Sequence, residues 1–345
     1  MLAIVAVVEL LLAARGPTNL VADTWADAYA RVRSARVRES SVLCLGDSQI
    51  KLGVDAAELG RLLGEPAYNL AVHAGQSAAA YNLLRRALDS GARPRAIVVG
   101  FYPGVLLDTA GMHARLWSEL LGWRACLDLA IQARDARFPE AALPGIVLAS
   151  CRARLDIRRN IAAALDGKVP GDVPDIERGR VERREHRGSS PAASRPEFRD
   201  DREPPIDPIF ADRVWKPTRE GSVYLHRLLA LARERGIAVY WITPPLSPAQ
   251  RERLERSGLI ATYEWYLRRL QAEYPGIVVL DSSKLGLDRS SFIDIIHLDA
   301  RGSLELTAAV ARAIREGGSR WVVLNRDREG TAIARGADAG RGVAR

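Results

Sequence analysis

Cysteine and lysine are scarce in this sequence of 345 residues, which holds three cysteines and four lysines. An odd and small number of cysteines does not form a disulfide framework. Neither the cysteines nor the five histidines have the spacing of metal ligands. The composition therefore argues against a disulfide-stapled scaffold and against a Cys/His metal-binding module.

The formal net charge of +8 comes almost entirely from arginine. A nucleic-acid-binding protein needs such charge on one face, interleaved with aromatic side chains. Here much of it lies in one polar stretch, residues 178–202, where acidic residues are mixed in. We therefore do not expect a nucleic-acid partner.

The N-terminal segment, residues 2–14, is apolar except for Glu9. It is shorter than the roughly 20 residues that span a bilayer, and no basic region precedes it as in a signal peptide. Three interpretations remain open: the end of a membrane anchor, a short signal-like segment, or an amphipathic or buried helix. We favour the first, with residues 1–38 as a membrane anchor and a polar helical stalk, and we expect an extracytoplasmic location.

Short apolar runs alternate with segments of helical periodicity, which predicts a parallel sheet with helices on both faces. Five strands are predicted, at residues 41–45, 67–72, 96–99, 237–243 and 276–280. The helices are predicted at residues 55–63, 77–90, 222–235, 248–274 and 300–316. Asp55 is expected to cap its helix, and a break is expected at Ser257-Gly258.

The alternation is interrupted after the third strand. Residues 116–133 and 148–165 have helical spacing, whereas residues 167–208 contain almost no large apolar side chain and are expected to be a loop or disordered. The predicted organisation is one domain, formed by residues 39–106 and 220–317, with a helical and disordered insert at 107–219. Residues 318–345 are expected to be a disordered tail, and residues 167–204 to be removable with little effect on the fold.

Two short motifs carry residues with catalytic chemistry. Gly46-Asp47-Ser48-Gln49 follows the first strand, at the edge where sheets of this kind bind ligands. Asp294-Ile295-Ile296-His297 lies shortly before the last helix, and its spacing lets a carboxylate orient an imidazole that accepts a proton from a serine. The alternative is that these residues cap helices and turns, as Ser, Asp and His often do.

The order of the two motifs resembles the SGNH/GDSL hydrolase superfamily, over residues 42 to about 106 and 236 to about 315. The resemblance implies a flavodoxin-like three-layer sandwich in which Ser48 is the nucleophile, His297 the base and Asp294 its partner. It also implies an oxyanion hole formed by the N–H groups of Ser48 and Gly75. Tyr102 stands where the family places an asparagine donor, which departs from the pattern.

The resulting prediction is a serine hydrolase that cleaves an ester, with an acylated cell-surface carbohydrate as substrate and no need for a metal or organic cofactor. Two alternatives stay open: an O-acyltransferase that uses the same triad, and a non-catalytic binding module. Lys51 is expected to be a solvated helix residue and His73 a loop residue near the oxyanion hole. Tryptophans of the insert are expected to stack on sugar or to pack between helices: Trp117, Trp123 and Trp215.

Overall fold

The computed structural model describes residues 2–15, 24–152, 154–167, 181, 183–199, 215–317 and 320–324. In these residues one sheet has the strand order β2-β1-β3-β4-β5-β6, and every neighbouring pair is parallel. The strands are β1 Val42–Gly46, β2 Ala67–Asn69, β3 Ala96–Gly100, β4 Ala238–Ile242, β5 Ile277–Asp281 and β6 Trp321–Val323.

Helices cover both faces of this sheet. Successive residues of a strand point to opposite faces, so the fully buried β1 contributes Leu43 and Leu45 to one core and Val42 and Cys44 to the other. The first core lies under helices Ser77–Asp89, Arg219–Glu234 and Leu259–Glu273. The second lies under Ala56–Leu63 and Ala300–Glu316. The predicted α/β architecture with a parallel sheet is therefore confirmed.

The sheet has one strand more than predicted. The additional strand is β6, which lies within residues 318–345, the segment expected to be a disordered tail. It pairs with β5, and Leu324, the residue after β6, is buried. Three residues flanked by glycine and arginine give too weak a pattern to be recognised as a strand. Residues 325–345 lie outside the described part of the chain.

Residues 24–38 differ from the predicted polar stalk. Helices Thr24–Arg31 and Ala35–Arg38 pack on the domain, with Trp25, Val32 and Val37 buried in the first core. The apolar segment forms helix Leu2–Arg15. In the described residues no helix combines the length and the apolar character needed to cross a bilayer.

The insert begins with a compact group of helices. These are Ala114–Leu120, Trp123–Ala133, Arg137–Val147, Ala149–Arg152 and Arg154–Leu165. The helical character predicted for residues 116–133 and 148–165 is confirmed, with a break in each segment, whereas helix Arg137–Val147 between them was not predicted. The group packs on the domain, where Asp128 accepts a hydrogen bond of 2.7 Å from the Tyr224 hydroxyl.

Residues 183–199 do not behave as an unpacked insert. The Asn69 N–H of the edge strand β2 donates to the Arg187 carbonyl at 2.9 Å, and Ala300 N–H donates to the Ala192 carbonyl at 2.8 Å. Phe198 is buried in the second core. Backbone hydrogen bonds hold this segment, and a count of apolar residues does not detect them. Residues 168–180, 182 and 200–214 lie outside the described part.

Candidate active site

The turn between β1 and the helix Ser48–Gly53 is shaped by two glycines on neighbouring strands. Gly46 has φ of +141°, and a Cβ there would lie 2.0 Å from the Gly100 carbonyl oxygen. A Cβ on Gly100 would lie 2.8 Å from Cδ1 of Ile50. Only glycine fits at Gly46, because L-residues avoid this backbone region and the strands meet so closely. The turn places Ser48 at the edge where the strands end.

The structure brings Ser48, His297 and Asp294 into one hydrogen-bonded chain. Nε2 of His297 lies 2.7 Å from Oγ of Ser48, and Nδ1 lies 2.6 Å from Oδ2 of Asp294. Burial raises the pKa of Asp294, but hydrogen bonds from the His297 ring and from backbone N–H groups outweigh it and lower that pKa. An ionised carboxylate only accepts, so Nδ1 is the donor and Nε2 of the neutral ring is left to accept from Ser48.

Asp294 also folds the loop that carries His297. Its Oδ1 accepts from the N–H groups of Ile296 at 2.9 Å and of His297 at 2.8 Å. The final helix has a different cap, because Asp299 accepts from the Gly302 N–H at 2.8 Å. Asp294 therefore orients the imidazole as well as closing a turn, and the cap-only alternative does not describe it.

Asp47, which had no role in the sequence-based prediction beyond a cap, ties the ends of two strands together. One carboxylate oxygen accepts from the Gln49 N–H at 2.9 Å, and the other accepts from the Tyr102 N–H at 2.7 Å. Burial raises the pKa of Asp47 to about 6, although both N–H groups and the charge of His297 oppose this. The motif Gly46-Asp47-Ser48-Gln49 indicates that Asp47 lies at the strand end. It does not indicate the contact with Tyr102, because that residue follows β3 and is distant in the sequence.

Gly75 occupies a tight loop after β2. A Cβ there would lie 2.4 Å from the Gly46 carbonyl oxygen, so a side chain does not fit. Its N–H donates to the Val72 carbonyl at 3.0 Å. The loop therefore lies against the turn that carries Ser48, but the Gly75 N–H, which is expected to be an oxyanion donor, is engaged in a hydrogen bond within the loop.

Tyr102 is buried, with 3% of its surface exposed, and Gln250 Nε2 lies 3.4 Å from its hydroxyl. Its contact with the turn is the backbone N–H bond to Asp47. The side chain is therefore packed in the first core, with its hydroxyl beside the Gln250 amide.

Lys51 lies one turn after Ser48. It is buried, whereas the sequence predicts a solvated residue. It is 1% exposed, and burial lowers its pKa to about 7 while Asp27 raises it. Asp27 also pairs with Arg31 at 2.8 Å and with Arg183 at 3.4 Å. This cluster joins helix Ser48–Gly53 to helix Thr24–Arg31 and to residues 183–199. Sequence spacing alone does not predict that these three segments meet.

Helix Thr24–Arg31 contacts the loop after β2. Nε1 of Trp25 donates to the His73 carbonyl at 2.7 Å, and the Trp25 ring packs edge-on against Trp117 of the insert, with centroids 4.8 Å apart. His73 itself is exposed in the loop, as expected. Trp117 and Trp215 are buried and pack between helices, whereas Trp123 is 55% exposed.

The predicted triad residues thus converge, Gly75 lies against the turn that carries Ser48, and the Tyr102 side chain is buried in the first core. In the described residues no group of three or more His, Cys, Asp and Glu side chains is arranged to hold a metal ion. Compared with known proteins, the chain matches no family model and no curated sequence.

Proposed function

We propose that this protein is a serine hydrolase of the SGNH/GDSL type that cleaves an ester. The observation that carries the proposal is the continuous hydrogen-bond chain from Ser48 through His297 to Asp294. Ser48 meets two side chains of a motif that lies almost 250 residues later in the sequence. The three groups have the polarity that nucleophilic catalysis requires, because the imidazole lies between a hydroxyl and an ionised carboxylate.

The reaction follows from this geometry. Ser48 Oγ attacks the acyl carbon as His297 Nε2 takes its proton, and the imidazolium then donates that proton to the leaving alkoxide. Water, activated by the same nitrogen, attacks the acyl-serine and releases the acid. Asp294 keeps the ring in the correct tautomer and stabilises its positive charge.

The fold supports the same assignment. The first five strands follow the order 2-1-3-4-5 of flavodoxin-like sheets, which is the fold that the SGNH/GDSL resemblance implies. Ligands of open α/β sheets bind outside the carboxyl ends of the strands. Ser48 lies at the end of β1, and His297 reaches the same edge.

The oxyanion hole is the weaker part of the machinery. The Ser48 N–H lies at the first position of its helix, where N–H groups lack partners within the helix. Gly75 can be the second donor only by sharing or releasing its bond to the Val72 carbonyl. A missing donor costs about 3 kcal/mol of transition-state stabilisation, so we expect slow turnover.

Labelling with a fluorophosphonate tests the proposal directly. We expect the wild-type protein to react at Ser48, and Ser48→Ala and His297→Ala to lose the label. Ser247→Ala is the matched control: Ser247 follows β4 at the same sheet edge and its N–H donates to the Ile295 carbonyl, but its side chain is fully buried, so removal of its hydroxyl should leave labelling unchanged. Equal labelling of Ser48→Ala refutes the assignment, and absence of label on the folded wild type favours a binding module.

Transfer of the acyl group to a sugar hydroxyl is the second candidate, and the insert is the feature that favours it. The Gln76 amide, from the loop after β2, donates to the Thr109 carbonyl at 3.3 Å, so the insert starts beside the site. An element placed there can exclude water and position an acceptor. We favour hydrolysis, because the same element can simply shape a hydrolase pocket.

Product analysis separates the two reactions. The protein is incubated with an activated acetyl ester, with and without oligosaccharides, and free acetate and acetylated sugar are measured. Acetate as the main product supports hydrolysis. Acetylated sugar as the main product in the presence of acceptor identifies a transferase.

We also propose that residues 2–14 associate with a membrane surface. Four side chains of this helix, Val7, Val8, Leu10 and Leu11, are between 44% and 70% exposed. The side chain of Glu9 accepts hydrogen bonds from Ser150, which takes its charge away from the exposed apolar surface. Sedimentation with anionic lipid vesicles tests this. Leu10→Asp with Leu11→Asp should abolish binding, and binding that survives both changes contradicts it.

A further inference from the structure

A cavity lies away from the triad, between helices Arg219–Glu234 and Leu259–Glu273. Its volume is about 890 Å³, within the range of small-molecule sites. Residues 215–218 close one end of it. There Trp215 Nε1 donates to the Pro103 carbonyl at 2.9 Å, and Thr218 N–H donates to the Leu106 carbonyl at 2.9 Å. This groove therefore begins at the loop that follows β3.

The groove has a fixed aromatic wall. The indole of Trp265 lines it and is 57% exposed, whereas Trp215, which also lines it, is 5% exposed. The Arg269 guanidinium lies 4.9 Å from the Trp265 ring centroid, within cation–π distance. The Trp215 ring meets that of Tyr266 edge-on, with centroids 5.4 Å apart. Aromatic side chains that line a concave cavity are typical of ligand sites, and the open face of Trp265 is available for such a contact.

The charge of the groove is positive. Lys216, Arg219 and Arg269 line it. Among the lining residues that the structure describes, the one carboxylate is Glu273, and its Oε1 lies 3.1 Å from His226 Nδ1. The cations therefore outnumber the acidic groups, and the hydroxyls of Ser222 and Thr262 add neutral hydrogen-bonding groups.

We propose that this groove binds an acidic oligosaccharide. The exposed indole suits the apolar face of a pyranose ring, and guanidinium groups suit carboxylates because their paired N–H donors match the two oxygens. A chain bound there would reach towards the loop after β3, at the sheet edge that carries Ser48. The proposal goes beyond ester hydrolysis, since binding in the groove does not depend on the chemistry of Ser48.

Isothermal titration of the full-length protein tests the proposal, with tetragalacturonate as the acidic probe and maltotetraose as the neutral one. We expect tetragalacturonate to bind more tightly, and its affinity to fall as salt screens the charges. Trp265→Ala and Arg269→Gln should each weaken binding at least about tenfold, which is the size of a lost stacking or charged contact.

The chain offers matched controls. Trp123 is equally exposed and has Arg124 over its ring, but it lies in the insert, so Trp123→Ala should bind as the wild type does. Arg268→Gln, next to Arg269 but over Trp321, should also leave binding unchanged. Ser48→Ala should keep full binding, which separates failure of this site from failure of the serine site. Absence of tetragalacturonate binding, equal binding of maltotetraose, or wild-type affinity in Trp265→Ala overturns the proposal.

Discussion

The side-chain amide of Gln49 donates a hydrogen bond of 3.2 Å to the carbonyl of Ile296. Gln49 follows Ser48, and Ile296 precedes His297, so this bond joins the two halves of the candidate site beside the Ser48–His297 contact. Gln49 is 3% exposed, which shields the bond from water. It therefore helps to set the distance between the Ser48 hydroxyl and the His297 ring.

Replacing Gln49 by leucine should lower kcat about tenfold, because the loop that carries His297 loses its link to the nucleophile helix. KM should change little, since the substrate is not touched. The matched control is Gln271→Leu, which removes another buried amide that donates to a carbonyl, that of Ile277, away from the triad. Kinetics with an activated ester measure both variants. An equal loss of kcat in Gln271→Leu would contradict a positioning role for Gln49.

Asp294→Asn should reduce kcat by about 10³-fold or more while the protein stays folded. The asparagine oxygen can still accept from the Ile296 and His297 N–H groups, but its amide no longer accepts from Nδ1. The ring then loses the tautomer in which Nε2 accepts. Asp299→Asn is the control, because Asp299 caps the next helix and has no bond to His297. Activity near wild type in Asp294→Asn would refute the triad.

The triad is the part of the site that sequence reasoning predicts well, because its residues lie in two short local motifs. The positions of Asp47 and Gln49 are visible in the same motif, yet their partners, Tyr102 and Ile296, are fixed only by tertiary contacts. The engaged Gly75 N–H is likewise invisible, since it depends on how the loop closes on Val72. The local motifs thus predict which three side chains come together, whereas the contacts that support them depend on tertiary packing.

Ser189→Ala should lower the free energy of unfolding by about 1–3 kcal/mol, because buried polar groups are left without a partner. The Ser189 hydroxyl donates to the Val54 carbonyl at 2.7 Å and accepts from the Ala56 N–H at 2.9 Å. Urea unfolding measures the difference. Ser194→Ala, an exposed residue of the same segment, should be neutral. If both variants match the wild type, residues 183–199 do not stabilise the fold.

Stability should rise with pH through the titration of Lys51. Burial lowers its pKa in the folded protein from 10.5 to about 7, while the unfolded chain keeps the higher value. Between these values the unfolded state holds more protons, so the free energy of unfolding increases with pH. Each pKa unit corresponds to roughly 1.4 kcal/mol.

Lys51→Met removes this dependence. We expect the variant to be most stabilised relative to the wild type near pH 6, and the difference to shrink towards pH 10. Thermal unfolding across this range measures the trend, with Lys284→Met as an exposed control. If the difference in stability between Lys51→Met and the wild type stays constant with pH, folding does not lower the pKa of Lys51 and the prediction is wrong.

The sheet was predictable for a similar reason as the triad. Four of the six strands are five-residue runs, and their alternation with amphipathic helices is regular. Residues 24–38 and 183–199 were missed because their contacts come from elsewhere in the chain. Trp25 is buried by Trp117, and Arg187 pairs with β2, neither of which is near in sequence.

The hydrogen bond between Trp25 and the His73 carbonyl limits how far the N-terminus can be shortened without loosening the loop beside Ser48. A truncated protein that starts at β1 would lose the indole that holds the loop beside the nucleophile, and it would leave Trp117 uncovered. Removal of residues before Thr24 spares both contacts. A fragment intended for crystallisation or secretion should therefore begin ahead of helix Thr24–Arg31, because this helix and the residues between it and β1 are packed into the domain.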